Sequence, residues 1–181
     1  MTKKLGIIVG SLREDSINLK LSRALARLMP ESLAAEWIKI DHLPVYNQDL
    51  DKSMPEAAKR FKEQIAACDG MLFVTPEHNR SIPASLKNAI DWGSRPYGQS
   101  VWAGKRVAIA EASIGAIGTA VAQSHLRGVL AYLDVANLGQ PELYLHFTPD
   151  LIDLEGNVAK DDTRAFLRGF AEKLEAWVAK A

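Results

Sequence analysis

Residues 3–25 read KKLGIIVGSLREDSINLKLSRAL, and the fold turns on how that stretch divides. Leu5 to Val9 is an apolar run closed by Gly10, the pattern of a strand buried on both faces. Polar residues follow. Apolar ones then return at helical spacing, as Leu21, Ala24, Leu25 and Leu28. A buried strand that passes through a polar loop into an amphipathic helix opens a βαβ unit, the building block of parallel sheets.

The alternation continues along the chain. Further strand candidates are Ala35 to Ile40, Met71 to Thr75, Arg106 to Ala110 and Val135 to Leu138. Between them, helical spacing links Ala58, Phe61 and Ile65, then Leu86, Ala89 and Ile90, then Ala122, Leu126, Val129, Leu130 and Leu133. A last helix after Asp161 carries Phe166, Phe170, Leu174, Trp177 and Val178 on one stripe. Pro55 and Pro83 stand where first-turn prolines belong. No linker interrupts this order. The expectation is one doubly wound α/β domain over residues 1–181, a five-stranded parallel sheet with helices on both faces.

Composition narrows the partners. The apolar share of 48% supports a sizeable core, and 22 basic residues against 22 acidic ones leave no net field to attract nucleic acid or a membrane surface. No run approaches the roughly 20 apolar residues of a membrane span, and the N-terminus lacks a signal-peptide pattern. The expected setting is cytoplasmic, with small molecules or copies of the same chain as partners. A single cysteine, Cys68, excludes an internal disulfide or a cysteine cluster, and it reads as an inert buried thiol. The four histidines show no ligand spacing, so no metal site is expected.

Open parallel sheets bind ligands outside the carboxyl ends of their strands, so the loops after strands carry the functional reading. In GSLREDSIN, Gly10 is read as the point where the chain turns off the strand. Ser11, Ser16 and Asn18 supply short polar groups around a helix N-terminus, and Arg13 adds a planar cationic fork. This suits a phosphate ester; the alternative is that Asp15 or Ser16 caps the helix. Neither GxxxxGKS/T nor GxGxxG is present, against a triphosphate loop or the usual dinucleotide turn. In TPEHNRSIP, Thr75 to Pro83, two prolines stiffen the loop, and Asn79 can both donate to and accept from the edge of a flat heterocycle. In EASIGAIG, Ser113, Gly115 and Gly118 fit either close backbone approach to a ligand or a plain turn with a cap.

Taken in order, GSLREDSIN, PEHNRSIPASLKNAIDW and EASIGAIGTAVAQSHLR resemble the NADPH-dependent FMN reductase family, in particular its bacterial quinone and chromate reductase branch. The resemblance implies a flavodoxin-like three-layer sandwich, noncovalent FMN, NADPH or NADH as donor, and quinones or chromate as acceptors. It also implies a homodimer that can pair into a homotetramer. Carried over, Ser11, Arg13, Ser16, Ile17 and Asn18 would hold the FMN phosphate. Pro76, Glu77, His78 and Asn79 would border the ring, and Ser113 with Gly115 would close the pocket. Arg80 and Arg95 are the candidate cations for an anionic acceptor, and no side chain is nominated as a catalytic acid or base. Two positions depart from the family pattern: His78 stands where tyrosine is common, and Glu111 where glycine is common. A flavodoxin-like electron carrier or a noncatalytic FMN-binding protein would share the fold, although such carriers are typically acidic and this chain is neutral. The aromatic segment Asp91 to Trp102, with Trp92, Tyr97 and Trp102, is expected at a subunit contact.

Overall fold

In the computed structural model, which describes residues 2–180, six strands and five α-helices alternate except that the last two strands follow one another directly. The strands are β1 (Lys3–Val9), β2 (Leu33–Trp37), β3 (Gly70–Val74), β4 (Arg106–Ser113), β5 (Ala136–Asn137) and β6 (Leu143–His146). The helices are α1 (Ile17–Leu28), α2 (Glu56–Ala66), α3 (Ala84–Ser94), α4 (Ala120–Tyr132) and α5 (Asp161–Val178). The sheet is parallel in the order β2-β1-β3-β4-β5, with β6 also paired to β4. This is the flavodoxin-like arrangement.

The two-residue period of the strands sorts the core into two layers. Leu5 and Ile7 of β1, Leu72 and Val74 of β3, and Ala108, Ala110 and Ala112 of β4 face α1 and α5. Ile8, Met71, Phe73, Val107 and Ile109 face α2, α3 and α4. Each fully buried large apolar side chain contributes about 1.5–3 kcal/mol. The helices meet the sheet with the stripes their spacing requires: Leu21, Ala24 and Leu25 on α1, Phe61 and Ile65 on α2, Leu126 and Leu130 on α4.

Several expectations shift. The sheet has five positions across, but the fifth is shared by two strands, since β5 pairs with Arg106 and Val107 while β6 pairs with Ala110 to Ser113. Residues 138–142, LGQPE, interrupt that edge, and Pro141 cannot donate to a ladder. The second strand ends at Trp37 instead of Ile40, although Ile38 still donates to the Ile7 carbonyl at 2.9 Å. On α5 the buried stripe runs through Leu167, Phe170, Ala171, Leu174 and Val178, leaving Phe166 exposed. Pro55 and Pro83 occupy the cap position just before α2 and α3. Trp92 and Trp102 are fully buried, Trp102 packing its ring against Phe61 and Phe73, so of the three aromatics expected at a contact only Tyr97 is exposed. Trp37 keeps an exposed ring edge while its indole N–H donates to Ser22. Cys68 is buried, and burial raises its thiol above the ordinary range, with Glu36 adding to the effect, as an inert core thiol should show.

Candidate functional site

Strand order reverses between β1 and β3, because the chain leaves β1 towards β2 and returns on its other side. The crevice at the carboxyl ends of those strands is where an open sheet receives a ligand. Three loops meet there: residues 10–16 after β1, 75–83 after β3, and 114–119 after β4.

The first loop is anchored from both sides. Gly10 donates to Val74 O at 2.9 Å, and its carbonyl accepts from Ser85 Oγ at 3.1 Å. The reason for glycine differs from the expected turn: a Cβ here would stand 2.5 Å from Thr75 Oγ1, so close approach of β1 to β3 demands it. Ser16 is the N-cap of α1 and accepts from Leu19 N at 3.3 Å, which is the capping role. Asn18 departs from the expectation of a side chain aimed at phosphate. It is buried, its Nδ2 donates to Ala112 O at 3.0 Å, and its Oδ1 accepts from Ala112 N at 2.9 Å, so only its main-chain N–H remains for a ligand. That clasp ties the first loop to the end of β4.

The N–H groups of Ile17 and Asn18 lie in the first turn, ahead of the helix's own hydrogen-bond ladder. Ser11 Oγ accepts weakly from Arg13 N at 3.4 Å, which leaves its proton free. The exposed Arg13 guanidinium has no side-chain partner among the described residues. Asp15 is paired with Lys20 at 2.7 Å, and this cation, by hydrogen bond and then by charge, holds its carboxyl below the ordinary value. The rim thus presents unengaged donors at a positive helix end, the arrangement that receives a phosphate.

The second loop is a tight hairpin. His78 and Ser81 exchange backbone hydrogen bonds at 2.9 Å each way, with Asn79 and Arg80 both at positive φ, 50° and 63°. This places the side chains of His78, Asn79 and Arg80 outward. Glu77 instead turns in: its Oε2 accepts from Ala122 N at 3.0 Å at the start of α4, and its Oε1 pairs with Arg80 at 3.0 Å. Arg80 is therefore already neutralised by a neighbour. Arg95 lies elsewhere, 5.9 Å from the centroid of the Tyr46 ring, and lines a groove between α3 and α4 with His78 and Asn79.

The third loop holds Ser113 Oγ as acceptor for Gly115 N at 3.0 Å, and Gly118 at φ 65° donates to Gly115 O at 3.1 Å. Ile114 and Ile117 are exposed along it, an apolar rim facing outward. Glu111 does not reach the rim. It is fully buried beneath the loop, facing the same side of the sheet as Val107 and Ile109. Burial pushes its carboxyl above the ordinary value, the Glu77 carboxylate adds to that, and the nearby Thr119 hydroxyl and amide oppose it. Sequence reading had no signal for the Asn18 clasp or the Glu77 cap, because their partners lie 94 and 45 residues away.

Fold and loops together define a flavodoxin-like protein whose β1–α1 turn leaves polar donors unengaged at a helix start. The family model described as NADPH-dependent FMN reductase matches residues 3–150, and the chain belongs to that family. It is 54% identical over 178 residues to a 2-hydroxy-1,4-benzoquinone reductase of a Burkholderia species, covering 98% of this chain and 97% of that one. It is 49% identical over 173 residues to a quinone reductase of Pseudomonas putida, covering 95% and 92% of the two chains. Among solved structures, a flavoenzyme NAD(P)H:(acceptor) oxidoreductase from Paracoccus denitrificans superposes with a TM-score of 0.94 at 40% identity, covering 99% of this chain and 98% of that one.

Proposed function

We propose that the chain is an FMN-dependent NAD(P)H:quinone oxidoreductase, folded as one domain over residues 1–181. The observation that carries this reading is the uncommitted set of donors at the start of α1, opening beside two further loops in a protein of this family. An FMN phosphate fits it. Ser11, the main-chain N–H groups of Ile17 and Asn18, and Arg13 can each meet a phosphate oxygen, and the nearest acid on the helix start, Asp15, is neutralised by Lys20. Ser16 acts by capping that helix end. Pro76, His78 and Asn79 border the ring on one side, Ser113 and Gly115 on the other, and Glu77 braces the second loop against α4.

The chemistry such a cofactor supplies is two-electron transfer, taking a hydride from reduced nicotinamide and passing it to the acceptor. The chain's own residues fix position and exclude water; none is required as acid or base. Quinones suit the apolar rim of Ile114 and Ile117. Chromate would need a cation, and Arg95 is the better candidate because Arg80 is paired with Glu77. A cytoplasmic setting without membrane or nucleic-acid partners is part of the same reading, supported by balanced charge and by the absence of any helix among the described residues long and apolar enough to cross a membrane. So is a homodimer or homotetramer, built on the groove between α3 and α4.

The test is optical. Anaerobic NADPH or NADH should bleach the visible flavin band of the FMN-loaded protein, and a quinone should restore it. A protein that takes up no FMN overturns the reading. One that binds FMN but resists bleaching by either nicotinamide is an electron carrier instead.

A further inference from the structure

We propose that Glu111 is a positioning residue: as a neutral carboxylic acid it seats residues 113–119 and the start of α4, and its ionisation loosens that loop. The effect on flavin rests on the reading above, because this loop borders the proposed pocket; the effect on the loop does not.

The geometry is specific. Glu111 is 0% exposed, and neither of its oxygens makes a hydrogen bond of ordinary geometry among the described residues, although the Thr119 hydroxyl and amide stand beside it. Gly118 lies directly over it: a Cβ built there would stand 2.8 Å from Glu111 Oε1. Thr119, at the cap position of α4, is also buried, makes no side-chain cap bond, and leaves its Oγ1 without a partner. Beside them is a cavity of about 180 Å³ lined by Glu111, Ser113, residues 115–118 and the β6 residues Tyr144 to His146. An isolated ionised carboxylate in such a place is far more costly than a neutral acid.

Among the described residues, the groups facing it offer no cation in contact. Glu77, on the second loop, adds negative charge and is itself held by Arg80 and Ala122 N. On β6, Tyr144 stands opposite Glu111 in the ladder, and His146 lines the same cavity. Tyr144 is raised chiefly by burial and next by Glu142, while Arg127 on α4 is paired with Glu142. A neutral acid is therefore the form that fits. When it ionises, water must reach it, and the segment that can yield is residues 114–118, which is mostly exposed and held by only two internal hydrogen bonds. β4 and β6 are locked in their ladder.

The sign follows. A carboxyl raised in the folded state binds its proton more tightly there than in the unfolded chain. Its stabilisation is complete below the unfolded value and declines as pH rises through the folded one.

The experiment is hydrogen exchange on the full chain, with and without added FMN, comparing wild type with Glu111→Gln. Protection of amides 113–122, corrected for intrinsic rate, should fall by up to about tenfold per pH unit as pH rises above about 4.3, the ordinary value of an exposed glutamate, and level off where the buried acid itself ionises. Glu111→Gln, which cannot ionise, should keep its protection unchanged. Equal decline in both proteins, or no decline in wild type, overturns the proposal. Infrared spectroscopy of wild type gives a test that does not need the variant to fold. A protonated-carboxyl stretch that persists above the ordinary carboxylate range supports the proposal, and its absence there overturns it. FMN affinity should follow the same pH profile in wild type only. A failure to bind FMN on the acid side of that profile would sink the functional reading and leave the exchange result to decide this one.

Discussion

Arg13 and Asn18 share a loop and are put to different uses. The Arg13 side chain has no partner among the described residues, and its removal should leave the fold intact while weakening FMN binding by about 10- to 150-fold, the loss of one charge-assisted contact. Flavin titration together with a thermal melt checks both halves, and an unchanged affinity removes Arg13 from the site. Asn18 clasps the Ala112 main chain with both amide atoms. Asn18→Leu should cost about 1–3 kcal/mol in denaturant unfolding, because it strands a buried N–H and C=O. The residue types of both were visible in the sequence as polar groups after a strand. Their division of labour was not, since the decisive partner of Asn18 is a backbone 94 residues away that no local pattern announces.

At the scale of elements, period was the reliable guide. The strands β1, β3 and β4 and all five helices follow from apolar spacing, whereas β6 did not, because LYLH is a four-residue alternation after an interrupted edge. Loop conformation was equally hidden. The hairpin at His78 to Ser81 puts Arg80 at φ 63°, a left-handed position that costs a non-glycine residue about 1–2 kcal/mol. Arg80→Gly should relieve that strain at the loss of an ion pair whose arginine is exposed but whose Glu77 carboxylate is nearly covered. The expected outcome is a melting temperature raised by about 2–4 °C for each kcal/mol gained in a chain of this size. A lower melting temperature would mean that the pair with Glu77 outweighs the strain.

For the molecule as a whole, the termini of elements are pinned by charge. Asp69, at the turn into β3, accepts from Lys4 N at 2.7 Å and from Lys3 Nζ at 3.1 Å. The Lys4 amide first, and Lys3 after it, hold its carboxyl below the ordinary value against some burial. The stabilisation is present above the unfolded value of about 3.9 and is lost as pH falls through the lower folded one. Asp69→Asn should therefore flatten the acid side of a stability-against-pH curve and leave its alkaline side alone. Assembly belongs to this scale too. Tyr132 is 85% exposed on α4 and lines the broad groove against α3, so Tyr132→Glu should shift sedimentation from dimer to monomer if that groove joins two copies. A wild-type monomer at micromolar concentration would end the assembly reading. The placing of the four tryptophans carries one more consequence. Trp92 and Trp102 are sealed in the core, Trp177 is partly covered against Arg106, and Trp37 alone keeps a broad edge in solvent. A collisional quencher such as iodide should therefore extinguish the redder part of the emission preferentially, leaving a blue-shifted residue from the sealed pair, and Trp37→Phe should remove most of that accessible fraction.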